Sequence, residues 1–138
     1  MSVLVVGSIA LDTVKTSVEE HADQLGGSAS YAAVGASFFA PVNHVGVVGD
    51  DFPKSEFDFW KSRSIDPSGV QKVAGKTLRW WGEYAWDLNH RQTSSVASNG
   101  FAHFVHERTA HYRETAVGYL SDIPPVPDAD CDQHTCHS

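Results

Sequence analysis

Val3-Leu4-Val5-Val6-Gly7-Ser8-Ile9-Ala10-Leu11-Asp12 is the stretch on which the fold turns. Val3 to Val6 is a short β-branched run with no polar alternation, and Gly7 closes it. A strand that is apolar at every position is buried on both faces, as strands of parallel sheets are. The first element is therefore read as such a strand, with Asp12 just past its carboxyl end. A polar stretch rich in Thr, Glu and His leads from there to Gly26-Gly27-Ser28 and the Ala-rich segment Ala29 to Phe39. Tyr31, Val34 and Phe38 recur at helical spacing, and Ala40-Pro41 ends the pattern, so a glycine loop opens a helix. Val45 to Val48 is a second β-branched run closed by Gly49-Asp50-Asp51, and Pro53 stands where the first turn of a helix over Phe52 to Lys61 tolerates it. The order strand, glycine loop, helix, strand, helix predicts an α/β layered fold with a parallel sheet.

Further along, the period changes to two. Leu78, Trp80, Gly82, Tyr84, Trp86 and Leu88 fall on one side, and Arg79, Glu83 and Asp87 on the other. This predicts a half-buried strand, or a tight pair with a bulge or bend at Gly82, and hence an antiparallel insert. Trp80, Trp81, Tyr84 and Trp86 have two uses: a stacking surface for a sugar ring or base, or the buried face of a sheet. Glu107 to Thr115 is read as helical and Ala116 to Leu120 as a strand. The segment Ile123-Pro124-Pro125-Val126-Pro127 continues neither, and Asp128 to Ser138 has almost nothing to bury, which predicts a tail.

Composition narrows the function classes. The 138 residues are 41% hydrophobic and 11% aromatic, enough for one packed domain. Ten basic against 17 acidic residues leave a net charge of -7, which argues against nucleic acid as a partner. Met1 to Ala10 has no basic lead, and Tyr31 to Val42 is short of the ~20 residues of a membrane span. A soluble, cytoplasmic chain is the expectation. The two cysteines, Cys131 and Cys136, lie in the last eight residues, so no disulfide framework holds the body.

Three segments in order carry a family resemblance: Val3 to Asp12, Gly26-Gly27-Ser28-Ala29-Ser30-Tyr31-Ala32-Ala33, and Val45-Gly46-Val47-Val48-Gly49-Asp50-Asp51-Phe52. With Ile65 to Val70 and Gly75-Lys76-Thr77 after them, the chain resembles the N-terminal part of the ribokinase-like (PfkB) carbohydrate kinases. The resemblance implies a partial three-layer α/β fold, a parallel sheet plus an antiparallel β-lid over about 75–97, with the C-terminal half missing. Residues 1–123 would be the N-terminal portion of the kinase domain and 124–138 a disordered tail. The implied activity of the intact family is phosphoryl transfer from ATP, with magnesium, to a hydroxymethyl group of a sugar or nucleoside.

The resemblance makes Asp12, Gly26, Gly27, Ser28 and Tyr31 the candidate substrate-binding residues. A carboxylate such as Asp12 accepts two hydrogen bonds from adjacent hydroxyls, although a loop carboxylate also caps turns. Gly26 and Gly27 let the backbone approach a sugar and present amides at a helix start, and a tight turn is their bland alternative. Tyr31 stands where many members carry a sugar-binding asparagine, so the sugar is open, and a helix tyrosine also serves core packing. Asp50 and Asp51 are read as caps before a helix rather than as metal ligands. His103, His106, His111, Cys131, His134, Cys136 and His137 lack a second paired knuckle, and no metal site is expected of them.

No catalytic residue is assigned. The Asp-Thr-x-Gly-Ala-Gly-Asp segment that supplies the family's anion hole and base does not occur here, nor does its Asn-x-x-Glu motif. The chain alone is expected to be inactive and to bind ATP and magnesium poorly. The alternative is a non-catalytic sugar-binding module, or one that dimerises through its lid as a homo-oligomer.

Overall fold

The computed structural model describes residues 1–97 and 117–121. In chain order the elements are β1 (Val3–Val6), β2 (Ala10–Lys15), β3 (Glu20–Gly26), α1 (Ser28–Ser37), β4 (Val42–Val48), α2 (Lys54–Ser62), β5 (Ile65–Lys72), β6 (Leu78–Tyr84), β7 (Arg91–Ala97) and β8 (Val117–Leu120). They form two four-stranded sheets.

The first sheet has the order β5-β4-β1-β8, and all three pairings are parallel. The uniformly apolar runs behave as read: Val5 joins a core with Ile9, Val42 and Val48, while Leu4, Val6, Val45 and Val47 are buried in a second cluster. Helices α1 and α2 close the first of these faces. Trp60 of α2 is fully buried, stacked on Phe52 and edge-on to Phe57. The buried residues of α1 are Ala29, Ser30 and Ala33; of the expected Tyr31, Val34 and Phe38, Val34 packs partly buried against the core and the other two are exposed. Small side chains let the helix lie close to the sheet, and Tyr31 is left 68% exposed.

The second sheet has the order β3-β2-β6-β7. The antiparallel insert foreseen from Leu78 onward is the β6–β7 pair; its ladder shifts register between Trp81 and Gly82, but the extra residue is Ser94 on β7 rather than Gly82 on β6. This pair docks in parallel on β2, which is antiparallel to β3. The strand ends at Tyr84, so Trp86 and Leu88 lie exposed in the hairpin loop instead of continuing its face.

Several readings are corrected. Asp12 is not in a loop beyond β1 but within β2, and the polar stretch after it is the β2–β3 hairpin. Ile65 to Lys72 is a strand at the edge of the parallel sheet among the described residues, and Pro67 falls where its ladder with β4 is irregular, between Asp66 and Gly69. Pro53 is the N-cap of α2 rather than a first-turn residue. Asp50 and Asp51 do not cap that helix: they bind the chain at Gly75 and Thr77, at the entry to β6. The segment Glu107 to Thr115, the residues His103, His106, His111, Cys131, His134, Cys136 and His137, and the tail 124–138 lie outside the described residues. Among the described residues no helix is long and apolar enough to cross a membrane, which says nothing of a β-barrel.

Candidate functional site

The two sheets meet where β1 ends, because Gly7-Ser8-Ile9 carries the chain from one sheet into the other. Ser8 then holds the start of α1. Its carbonyl accepts from the Ala29 amide at 3.1 Å, and its Oγ accepts from the Ser28 amide at 3.1 Å and lies 3.1 Å from Ser28 Oγ. Gly27 makes this approach feasible: its φ is +90°, and a Cβ there would overlap the Ser8 carbonyl. Two of the helix-start amides are thus already used by Ser8, so the Ser28 hydroxyl and the Gly27 backbone are what line the space outside.

That space is a cleft of about 500 Å3 between the α1 start and the inner face of the second sheet. Asp12, Gly27, Ser28 and Tyr31 of the candidate set all line it. Gly26 does not, and has a different part. It is paired with Ala10 across the β2–β3 hairpin, and any side chain on it would occupy the position of the Asp12 carboxylate. Its lack of a Cβ makes room for that group. Asp12 itself is half-buried, burial raises its pKa above the usual carboxylate value, and no described residue donates a hydrogen bond to it. An acceptor that gives up water without gaining a protein partner is left to a ligand.

The opposite wall is aromatic. Trp80 and Tyr84 face the cleft from β6, with Leu78 at one end and Arg91 and Val96 from β7 beside them. Trp80 donates from Nε1 to Thr93 Oγ1 at 3.3 Å, and the Arg91 guanidinium lies over its ring at 5.4 Å. Ser8, Trp80, Tyr84 and Arg91 are lining residues that the candidate set omitted. The period-two stripe already puts Trp80 and Tyr84 on one side, and the same alternation turns Trp81 to a smaller groove on the other face. Nothing in the sequence singles out Arg91.

Outside the cleft lining, a polar junction ties the end of β4 in one sheet to the start of β6 in the other. The Thr77 hydroxyl accepts from the Gly49 amide at 2.9 Å and donates to Asp51 Oδ1 at 2.8 Å, which also accepts from the Thr77 amide. Arg79 bridges Asp51, at 2.8 Å, and Asp23 of β3. Burial alone would push the Asp51 carboxyl upward, but bonds from Arg79 and Thr77 outweigh it and hold the pKa at about 2. Both aspartates are therefore spent on protein partners. With Asp51 accepting from Thr77 and Arg79, and Asp23 paired with Arg79, neither carboxylate is left as an open ligand for a magnesium ion.

No family model matches the chain, and no curated protein matches it. Solved structures do. A nucleoside kinase of Methanocaldococcus jannaschii, an archaeal member of the ribokinase family, is 19% identical over 89% of this chain and 45% of its own, with a TM-score of 0.65. A Burkholderia thailandensis nucleoside kinase solved with inosine is 13% identical, covering 75% of this chain and 38% of its own, at a TM-score of 0.60. The ribokinase of Cryptococcus neoformans solved with ADP is 18% identical over 71% of this chain and 34% of its own, at 0.57. At these identities the likeness establishes the fold: the chain has the N-terminal part of the ribokinase fold, an α/β architecture with a parallel sheet and a mixed second sheet. It spans less than half the length of these structures.

Proposed function

We propose that the chain is the substrate-binding part of a ribokinase-like kinase that acts on a sugar or nucleoside. The observation that carries this reading is the Asp12 carboxylate, half-buried in a roomy cleft and without a hydrogen bond from any described residue. Vicinal hydroxyls suit such an acceptor, since each can donate to one carboxylate oxygen. Ser28, Gly27 and Tyr31 stand on the same cleft and complete the polar side. Solved proteins of this fold include nucleoside kinases and a ribokinase with ADP bound, which agrees in kind.

Two outcomes are expected. Asp12→Asn keeps the shape and removes the charge, and calorimetry with ribose, fructose and nucleosides will show a loss on the order of 1–3 kcal/mol for the preferred ligand. Unchanged affinity removes Asp12 from the site. The polypeptide 1–138 taken alone will transfer no phosphoryl group from ATP to any of these compounds, because its sequence holds no glycine-rich anion hole with a base beside it. Turnover that survives repurification and vanishes in Asp12→Asn contradicts this.

A further inference from the structure

We infer that the cleft selects a nucleoside over a free sugar, with Trp80 as the platform for the base and Arg91 as a donor to the base edge. This rests on the cleft being the substrate site, and it adds the half of the ligand that Asp12 cannot read. The cleft is two-sided in chemistry. Asp12, Ser8 and Ser28 make one side suited to hydroxyls, while Trp80 and Tyr84 make the other flat and apolar. A free pentose has nothing to place against two aromatic rings and leaves that surface wet. A planar heterocycle joined to a pentose covers both sides at once.

The Trp80 ring is held in place before any ligand arrives. It lies on Gly82, where any side chain would run into the six-membered part of the indole, and Nε1 is fixed by Thr93 Oγ1 at 3.3 Å. A platform whose rotamer is already set loses little entropy when a ring stacks on it. Arg91 is paired with Tyr84 across the β6–β7 ladder, and its guanidinium makes no ion pair or hydrogen bond to a described residue, only the contact with the Trp80 ring. Its donors are therefore available to the ring nitrogens and carbonyl oxygens of a base. The same planar cation is compatible with a stacked base beside it.

The test is calorimetric titration of the 138-residue chain with adenosine, uridine and D-ribose, on wild type, Trp80→Leu, Trp80→Phe, Arg91→Met and Asp12→Asn, with melting curves as the check on folding. A nucleoside is expected to bind about tenfold or more tighter than ribose, the scale of one base–aromatic stack. Trp80→Leu will remove that advantage and leave ribose unchanged, Trp80→Phe will restore most of it, and Arg91→Met will lower nucleoside affinity alone. Ribose binding as tightly as the nucleosides, dependent on Asp12 and indifferent to Trp80→Leu, overturns the inference and leaves the sugar-site reading standing. Nucleoside binding that needs Trp80 but ignores Asp12→Asn overturns that reading and keeps the platform. No binding of any of the three overturns both.

Discussion

His44 occupies the middle of β4 with no exposure, and among the described residues neither ring nitrogen has a hydrogen-bond partner. Its neighbour is the Trp60 ring, 4.6 Å away in an edge-to-face arrangement, so the imidazole is packed as an aromatic disc and kept neutral. Burial lowers its pKa from 6.5 to about 4. The unfolded chain binds a proton near 6.5 and the folded one only near 4, so folding is weakened as the pH falls between these values. The stability present above pH 6.5 is lost progressively down to about 4 and then levels off. A shift of this size corresponds to something on the order of 3 kcal/mol. His44→Phe should flatten the dependence of the melting temperature on pH across that window. An unchanged slope would place the titration elsewhere. The sequence does not single out this residue, because a histidine ahead of the apolar run Val45 to Val48 reads as a boundary, although the strand begins at Val42.

At the scale of elements, the junction between the sheets is the place where one hydroxyl does the most. Thr77 is almost wholly buried, accepts from Gly49 and donates to Asp51, and Asp51 in turn holds Arg79. Thr77→Val keeps the volume and leaves the Gly49 amide without its acceptor, at a cost of roughly 1–3 kcal/mol. Hydrogen exchange should then rise at the Gly49 amide and along β6, and uniform protection would mean that the sheets are held together by packing alone. The sequence reveals β1 and β4 by uniformly apolar runs, α1 and α2 by helical spacing, β6 by its period of two, and β8 as the run Ala116 to Leu120. It conceals β3, because Glu20 to Gln24 are all exposed and an edge strand with no buried face has no apolar signal. It conceals β2, because Asp12, Thr13 and Lys15 interrupt the apolar run while burial on both faces leaves no alternation either. Asp12 was found by residue type and family pattern, yet its surroundings depended on this unseen hairpin. The partners Trp80, Tyr84 and Arg91 come from strands more than sixty residues away in the chain, and only pairing brings them to it.

For the whole molecule, the parallel sheet poses a question that neither residue nor element answers. Parallel strands are ordinarily buried on both faces and flanked on both edges. Among the described strands β8 lies at one edge of the sheet, paired only with β1, and its side chains are open: Val117 is 51% exposed, Tyr119 47% and Leu120 38%. Among the described strands none pairs with its outer side, and an edge that carries apolar groups is the kind that recruits another strand. Even a few hundred Å2 of apolar surface closed against a partner contributes several kcal/mol at about 25 cal/mol per Å2, a large share of a domain's stability. The polypeptide 1–138 is therefore expected to associate in a concentration-dependent way, and to melt higher as its concentration rises, since association stabilises the folded form by mass action. Sedimentation velocity between about 1 and 100 μM, a range bracketing micromolar association, reads the first effect, and melting over the same range reads the second. Charged substitutions that do not disturb the ladder, such as Tyr119→Lys, should shift the distribution toward monomer, because like charges on an edge oppose pairing. A monomer that melts cooperatively and independently of concentration would mean that the β8 edge is covered within the chain itself.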